Sequence, residues 1–120
     1  MYALFLILNE KDKLDSILEL LYTLGVGATT LDSVGMGKLL LSHNVNETIF
    51  ASLRNVLNEG KPYNKTLISV IRDEDTLNKA IKSIEDILDI ENTVGAGFMF
   101  VLPVIQCSGG LSSSDKSCNV

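Results

Sequence analysis

Apolar residues recur along the first third of the chain with two different periods, which predict a strand, a helix and a second strand. The continuous apolar run at residues 2–8 has the length of a buried strand. Residues 9–24 read as a helix with one apolar stripe and acidic residues in its first turn, and Gly25 ends it. A β-branched strand is predicted at residues 29–34 and ends at Gly35.

The same plan returns in the second half of the chain. Strands are predicted at residues 66–72 and 98–104, with a helix between them that Asp73 caps. Adding 63 to each apolar position of the first helix reaches the stripe of the second: Leu14, Ile17, Leu18, Leu21 and Leu24 become Leu77, Ala80, Ile81, Ile84 and Ile87. Two tandem βαβ units predict an α+β, ferredoxin-like sandwich: a four-stranded antiparallel sheet with two helices on one face.

The segment between the two halves, residues 38–64, is too long for a plain turn. A capping box at residues 44–47 precedes an apolar stripe at helical spacing, so an extra helix is expected over residues 44–58. The first and last strands are apolar on both faces, so the face that the two helices leave free must also be covered. Two interpretations follow: the extra helix packs on that face of a monomer, or, as we favour, copies of the chain pack there.

Composition excludes several classes of protein. The 120 residues are 46% hydrophobic and carry 10 Lys and Arg against 15 Asp and Glu, for a net charge of −5. One folded domain over residues 1–106 is expected, with no nucleic-acid partner, because a dedicated binder carries a basic face. The apolar start is too short to span a bilayer and lacks a basic leader, so we expect no membrane insertion and a cytoplasmic protein.

Little in the chain is suited to catalysis or metal binding. One histidine, His43, and two distant cysteines are too few soft ligands for a structural zinc site. No nucleophile–base pair stands out, and Asp32 is the one isolated candidate acid, so neither a catalytic residue, a metal nor a cofactor is predicted. The tail, residues 107–120, is rich in Gly and Ser and expected to be flexible, and Cys107 and Cys118 are expected to be thiols.

The ends of the second and fourth strands give a resemblance to a known family. The stretches Thr30-Leu31-Asp32-Ser33-Val34-Gly35-Met36-Gly37-Lys38 and Val94-Gly95-Ala96-Gly97-Phe98-Met99-Phe100-Val101-Leu102-Pro103-Val104 resemble the PII signalling proteins, in a divergent branch, and the likeness extends in order and spacing over residues 1–105. The resemblance implies a homotrimer with inward-packed sheets, a ligand cleft between subunits and a loop that contacts a protein target.

The resemblance also assigns a ligand site. The family's two glycine turns line a cleft for ATP or ADP, which here implies a site made of Gly35, Met36, Gly37, Lys38, Gly95, Ala96 and Gly97. Glycines allow several backbone N–H groups to approach phosphate oxygens. Both pairs also have a purely structural explanation. Gly35 and Gly37 can form the turn that ends the second strand, and Gly95 and Gly97 can form the tight turn that leads into the last strand.

Departures from the family pattern affect the ligand. The family's usual Gly-Asp-Gly-Lys is Gly95-Ala96-Gly97-Phe98 here, without the phosphate-binding lysine, and no Lys or Arg occurs from Ser83 to Asp115. A less charged ligand, such as AMP or a cyclic nucleotide, or no nucleotide at all, fits this better than a triphosphate. The function expected is therefore a non-enzymatic regulator that binds a small metabolite and acts on a protein, and the resemblance implies a role in nitrogen metabolism.

Two alternatives stay open. One is a structural or metal-tolerance trimer similar to the CutA proteins, which share this fold, and the other is a small enzyme on the same scaffold. Some PII-like branches carry paired tail cysteines that respond to redox state, and the spacing of Cys107 and Cys118 permits such a closed loop without requiring it.

Overall fold

A computed structural model describes residues 1–37, 48–58 and 64–110. Four strands form one antiparallel sheet in the order β2-β3-β1-β4, and three helices accompany it. The α+β class and the four-stranded antiparallel sheet are thereby confirmed, in an arrangement compatible with a ferredoxin-like fold. The elements are β1 (Tyr2–Leu8), α1 (Leu14–Thr23), β2 (Thr29–Ser33), α2 (Ile49–Asn58), β3 (Asn64–Ile71), α3 (Glu74–Leu88) and β4 (Gly97–Pro103).

The core lies between one face of the sheet and helices α1 and α3. In each central strand every second side chain points to this face, which places an aliphatic layer beneath the helices. The helices contribute positions of the predicted stripes, spaced three or four residues apart. The buried side chains are Leu4, Leu6, Leu8, Ile17, Leu21, Leu67, Ile71, Leu77, Ala80, Ile84, Leu88 and Ala96.

Each of the two packed helices ends as its local sequence demands. Asp73 caps α3, since its carboxylate accepts a hydrogen bond of 2.8 Å from the Thr76 N–H, which confirms the predicted cap. Gly25, at a φ of +71°, follows α1 in the left-handed region that glycine adopts without a steric penalty. The α-helix begins at Leu14, directly after a 3-10 turn at Lys11–Lys13, and not at residue 9. Asn9 and Glu10 instead continue from β1, and their backbone N–H groups bond to Ala96 O across the sheet edge.

The extra helix between the halves is present as α2, and it stands apart from the core. Its first turn is capped by Thr48, whose Oγ1 accepts a hydrogen bond of 3.1 Å from the Ala51 N–H. The predicted capping box at residues 44–47 lies outside the described residues. Of the side chains described in α2, none belongs to the core or packs against it, and Phe50 is 66% exposed. Among the described residues α2 has at most marginal contact with any strand, so it does not cover the free face of the sheet.

Two further expectations are corrected. Strand β3 begins at Asn64, two residues earlier than predicted, because Asn64 pairs with Ser33 of β2 and this contact outweighs the low strand preference of asparagine. Cys107 is half of a disulfide, so the expectation of a free thiol is wrong there. Its sulfur lies 3.4 Å from Met1 Sδ, and the sequence's other cysteine, Cys118, lies outside the described residues.

Candidate functional site

The antiparallel register brings the two glycine turns to the same edge of the sheet. Strand β2 ends at Ser33 and β1 ends at Leu8, while β3 begins at Asn64 and β4 at Gly97. The Gly35 turn therefore leaves one corner of this edge and the loop containing Gly95 enters the opposite corner. Strands β3 and β1 lie between the corners, a separation of roughly 14 Å at about 4.8 Å per strand.

A chain of neutral polar side chains connects the two corners, and we call it the edge polar chain: Ser33, Thr66, Asn64 and Asn9. The Ser33 hydroxyl donates to Asn64 Oδ1, and Thr66 Oγ1 lies 2.7 Å from Ser33 Oγ. Asn64 Nδ2 donates to Asn9 Oδ1 at 3.4 Å, and Asn9 Nδ2 donates to the Gly95 carbonyl at 2.9 Å. The single Ser33 proton is used on Asn64, so the Thr66 hydroxyl is the donor to Ser33.

The loop before β4 is fixed in place by backbone contacts as well. The Ala96 carbonyl accepts hydrogen bonds from the N–H groups of Asn9, at 3.0 Å, and Glu10, at 3.1 Å. Ala96 itself is buried in the core, and Gly95 has a φ of +79°. A side chain at Gly97 would lie 3.2 Å from both the Ile7 carbonyl oxygen and Leu88 Cδ1. Conformation and packing thus account for the residues at 95–97 without a ligand.

The Gly35 turn is more open. Gly35 is half-buried beside the Asn64 amide, whereas Gly37 is exposed and Met36 is 69% exposed, and the backbone at Met36 and Gly37 is helical. Neither glycine here has a positive φ. Lys38, the predicted source of positive charge, lies outside the described residues. The structure therefore places Gly35, Met36 and Gly37 at one corner and Gly95, Ala96 and Gly97 at the other.

The edge polar chain brings no positive charge of its own to this edge. The four side chains of the edge polar chain are neutral, and the nearby Lys65 is paired with Asp32 of the adjacent strand. A cavity of about 290 Å³ at the carboxyl end of α3 is lined by Ile90 and four carboxylates: Glu85, Asp86, Asp89 and Glu91. These carboxylates repel phosphate from that side.

The sheet face opposite the helices, which we call the outer face, is apolar. Its apolar residues are Ala3, Phe5, Ile7, Leu31, Ile68, Val70, Phe98, Phe100 and Leu102, which alternate with the core positions of their strands. The same alternation places Thr29, Ser33, Asn64 and Thr66 at the β2 side of this face. The rings of Phe5 and Phe100 stack with centroids 4.9 Å apart, and Phe98 lies 5.7 Å from Phe100. Phe98 is 62% exposed. The edge polar chain borders this face, since Thr66 pairs with both Ile7 and Leu31.

The residues of the edge polar chain were missed by sequence reasoning. Asn64 is 3% exposed and Ser33 is half-buried, yet they are 31 positions apart, so only the strand register brings them together. One signal in the sequence was available: asparagine is depleted in strands, and Asn64 stands directly before the apolar alternation of β3. A polar residue at such a place marks a side chain with a specific partner.

Residues 1–37, 48–58 and 64–110 contain no group of three or more His, Cys, Asp or Glu placed to hold a metal ion. In the same residues no helix has both the length and the apolar character to cross a membrane. Comparison with protein-family models and with curated proteins finds no match for this sequence.

Proposed function

We propose that this chain is a cytoplasmic, non-enzymatic regulatory protein that binds a small metabolite, an adenine nucleotide, and relays its presence to a protein target. The observation that carries the proposal is that the Gly35 and Gly95 turns lie at the two corners of one sheet edge and that the edge polar chain joins them. The class of function, including a role in nitrogen metabolism, comes from the resemblance of these turns to the PII signalling proteins.

The chemistry of the edge favours a ligand of low charge. The edge polar chain presents hydroxyl and amide groups, which recognise a nucleobase or ribose but supply no positive charge. The acidic cavity at the carboxyl end of α3 disfavours additional phosphates. We therefore propose AMP or cyclic AMP ahead of ADP and ATP, with Lys38 as the residue that meets the single phosphate.

The proposed assembly is a homotrimer with the outer face at its centre. Leaving large apolar side chains in water forgoes roughly 1.5–3 kcal/mol for each one, and the outer face exposes several of them on adjacent strands. Because the edge polar chain borders the outer face, subunits packed on that face would place a neighbouring chain beside the glycine turns. The ligand cleft would then lie at the seam between two subunits.

The proposed relay to a protein target is the segment between β2 and β3. A ligand held by Gly35 to Lys38 contacts the start of this segment directly, and a contact that favours one of its conformations shifts the population of the rest. Helix α2, in the same segment, presents exposed Ile49 and Phe50 away from the core. We propose α2 as the surface that the target recognises.

Titration calorimetry of the full chain with ATP, ADP, AMP and cyclic AMP tests the ligand proposal. The expected result is saturable binding of AMP or cyclic AMP, which Met36→Glu weakens because it adds a negative charge at the Gly35 turn. Tyr22→Glu is the matched control, since it places the same charge at an exposed position on α1.

The absence of saturable binding with all four nucleotides would remove the nucleotide claim. A stable trimer with that result would favour the CutA-like alternative. Equal loss of binding in Met36→Glu and Tyr22→Glu would show a general effect of charge and would remove the assignment of the site to the Gly35 turn.

A further inference from the structure

The edge polar chain connects the two turns by side-chain hydrogen bonds. We propose that Asn64 and Asn9 couple the turns, so that a change at the Gly35 corner alters the stability of the Gly95 corner. The two amides are positioning residues in this device, since they act on the turns and not on a reacting group. What the coupling is used for rests on the proposed function, whereas the coupling itself is a property of the free protein.

The first step of the coupling lies at Asn64. Its side chain is 3% exposed, its Oδ1 accepts from Ser33, and its Nδ2 donates to Asn9. A buried amide that loses a partner retains the full cost of its desolvation. A movement of Ser33 at the end of β2 therefore forces Asn64 either to follow it or to remain unpaired.

The second step lies at Asn9, whose side chain uses both ends of its amide. Its Oδ1 accepts from Asn64 and its Nδ2 donates to the Gly95 carbonyl at 2.9 Å. Its backbone N–H, with that of Glu10, holds the Ala96 carbonyl. A displaced Asn9 thus loosens residues 95 and 96 together, which carries the disturbance to the far corner of the edge.

A direct consequence follows for any ligand at the Gly35 turn. Occupancy that orders Ser33 also stabilises the chain of bonds through Asn64 and Asn9, and with it the Gly95 loop. The two corners, roughly 14 Å apart by strand spacing, would respond together although one ligand group touches only one of them.

Amide hydrogen exchange followed by NMR on the full chain without any ligand tests the coupling. The reporters are the backbone amides of Asn9 and Glu10, which donate to Ala96. Ser33→Ala is expected to speed their exchange by roughly two- to twelve-fold, the factor that one ordinary hydrogen bond supplies. In an Asn64→Ala background the same Ser33→Ala change is expected to have no further effect, because the connection is already broken.

Thr29→Ala provides the control, since it removes an exposed hydroxyl from the same strand at a distance from the edge polar chain. If Asn64→Ala does not fold, Asn9→Ala replaces it with the Glu10 amide as reporter, and Ser33→Ala must again lose its effect. Equal effects of Ser33→Ala in both backgrounds, or the same acceleration from Thr29→Ala, would overturn the coupling. Because no ligand is present, this outcome is independent of the nucleotide titration.

Discussion

Replacing Phe98 by alanine separates the contribution of the outer face to assembly from its contribution to folding. Phe98 lies on edge strand β4, and its ring contacts Phe100 at 5.7 Å while 62% of its surface remains exposed. In a single subunit the substitution removes this aromatic contact, worth about 0.5–1.5 kcal/mol, and the burial of the rest of the ring, roughly 60–95 Å² or about 1.5–2.5 kcal/mol. In a trimer centred on the outer face it also removes the area that the neighbouring subunits would cover.

The size of the effect on assembly follows from the exposed fraction. Full burial of a phenylalanine withdraws roughly 150–250 Å² from water. The exposed 62% of Phe98 therefore corresponds to roughly 90–155 Å², or about 2–4 kcal/mol per subunit at about 25 cal/mol per Å². This is a weakening of association by roughly 30- to 700-fold for each subunit.

Sedimentation equilibrium over a micromolar concentration range measures this weakening. The wild-type chain is expected at three times its 13.1 kDa mass, and Phe98→Ala is expected to dissociate toward the single-chain mass. Tyr22→Ala is the matched control, because Tyr22 is 84% exposed on α1, on the opposite side of the sheet. A wild-type particle of single-chain mass, or equal dissociation of Tyr22→Ala, would refute the assignment of the outer face to assembly.

Three further predictions concern stability, each measured by thermal or urea unfolding. The hydrogen bond from the Thr76 N–H lowers the pKa of Asp73. The Asp73 cap therefore contributes its full stability at pH values above the ordinary carboxyl pKa, and this contribution is lost as the pH falls through the lowered pKa. Asp73→Asn should remove this acid sensitivity, and a variant with the pH profile of the wild type would contradict the assignment. Gly97→Val should lower the free energy of unfolding by about 1–3 kcal/mol, because the added side chain is overpacked against Leu88. Gly37→Ala should not cause this loss, because no described atom lies close to the position of the added methyl group. Ser69→Ala should cost about 1–3 kcal/mol of stability because it leaves the Gly27 carbonyl, 2.7 Å from the Ser69 hydroxyl, without its donor. Unchanged stability in Gly97→Val would refute the close packing at Gly97, and unchanged stability in Ser69→Ala would refute the role of this hydrogen bond.

The features that the sequence predicted are those that local rules determine. The Asp73 cap depends on residues three positions apart, and the apolar stripes of α1 and α3 depend on helical periodicity alone. The offset of 63 between the stripes then implied equivalent packing of both helices on one face of the sheet. These relations can be predicted from the sequence because the interacting positions are close in the chain or repeat along it.

The features that the sequence did not predict depend on register between distant strands. Asn9 bonds across 86 positions to Gly95 and across 55 positions to Asn64, so no local pattern identifies the edge polar chain. The role of Gly97 was equally hidden, because a glycine pressed against Leu88 and a glycine facing a phosphate look identical in a sequence. The disulfide of Cys107 was missed because a cytoplasmic protein was expected, in which cysteines stay reduced.

The glycines at the two corners differ in whether the described structure explains them, and this difference shows at which corner a ligand would be needed to explain a glycine. At the Gly95 corner, a positive φ at Gly95 and close packing at Gly97 explain the residues present. At the Gly35 corner, no positive φ occurs, and no atom lies within 4 Å of a Cβ built at Gly37 among the described residues. The described residues of the chain therefore do not require glycine at 37. In the proposed function, a ligand phosphate or a second subunit at the seam is what would approach the backbone closely at this position.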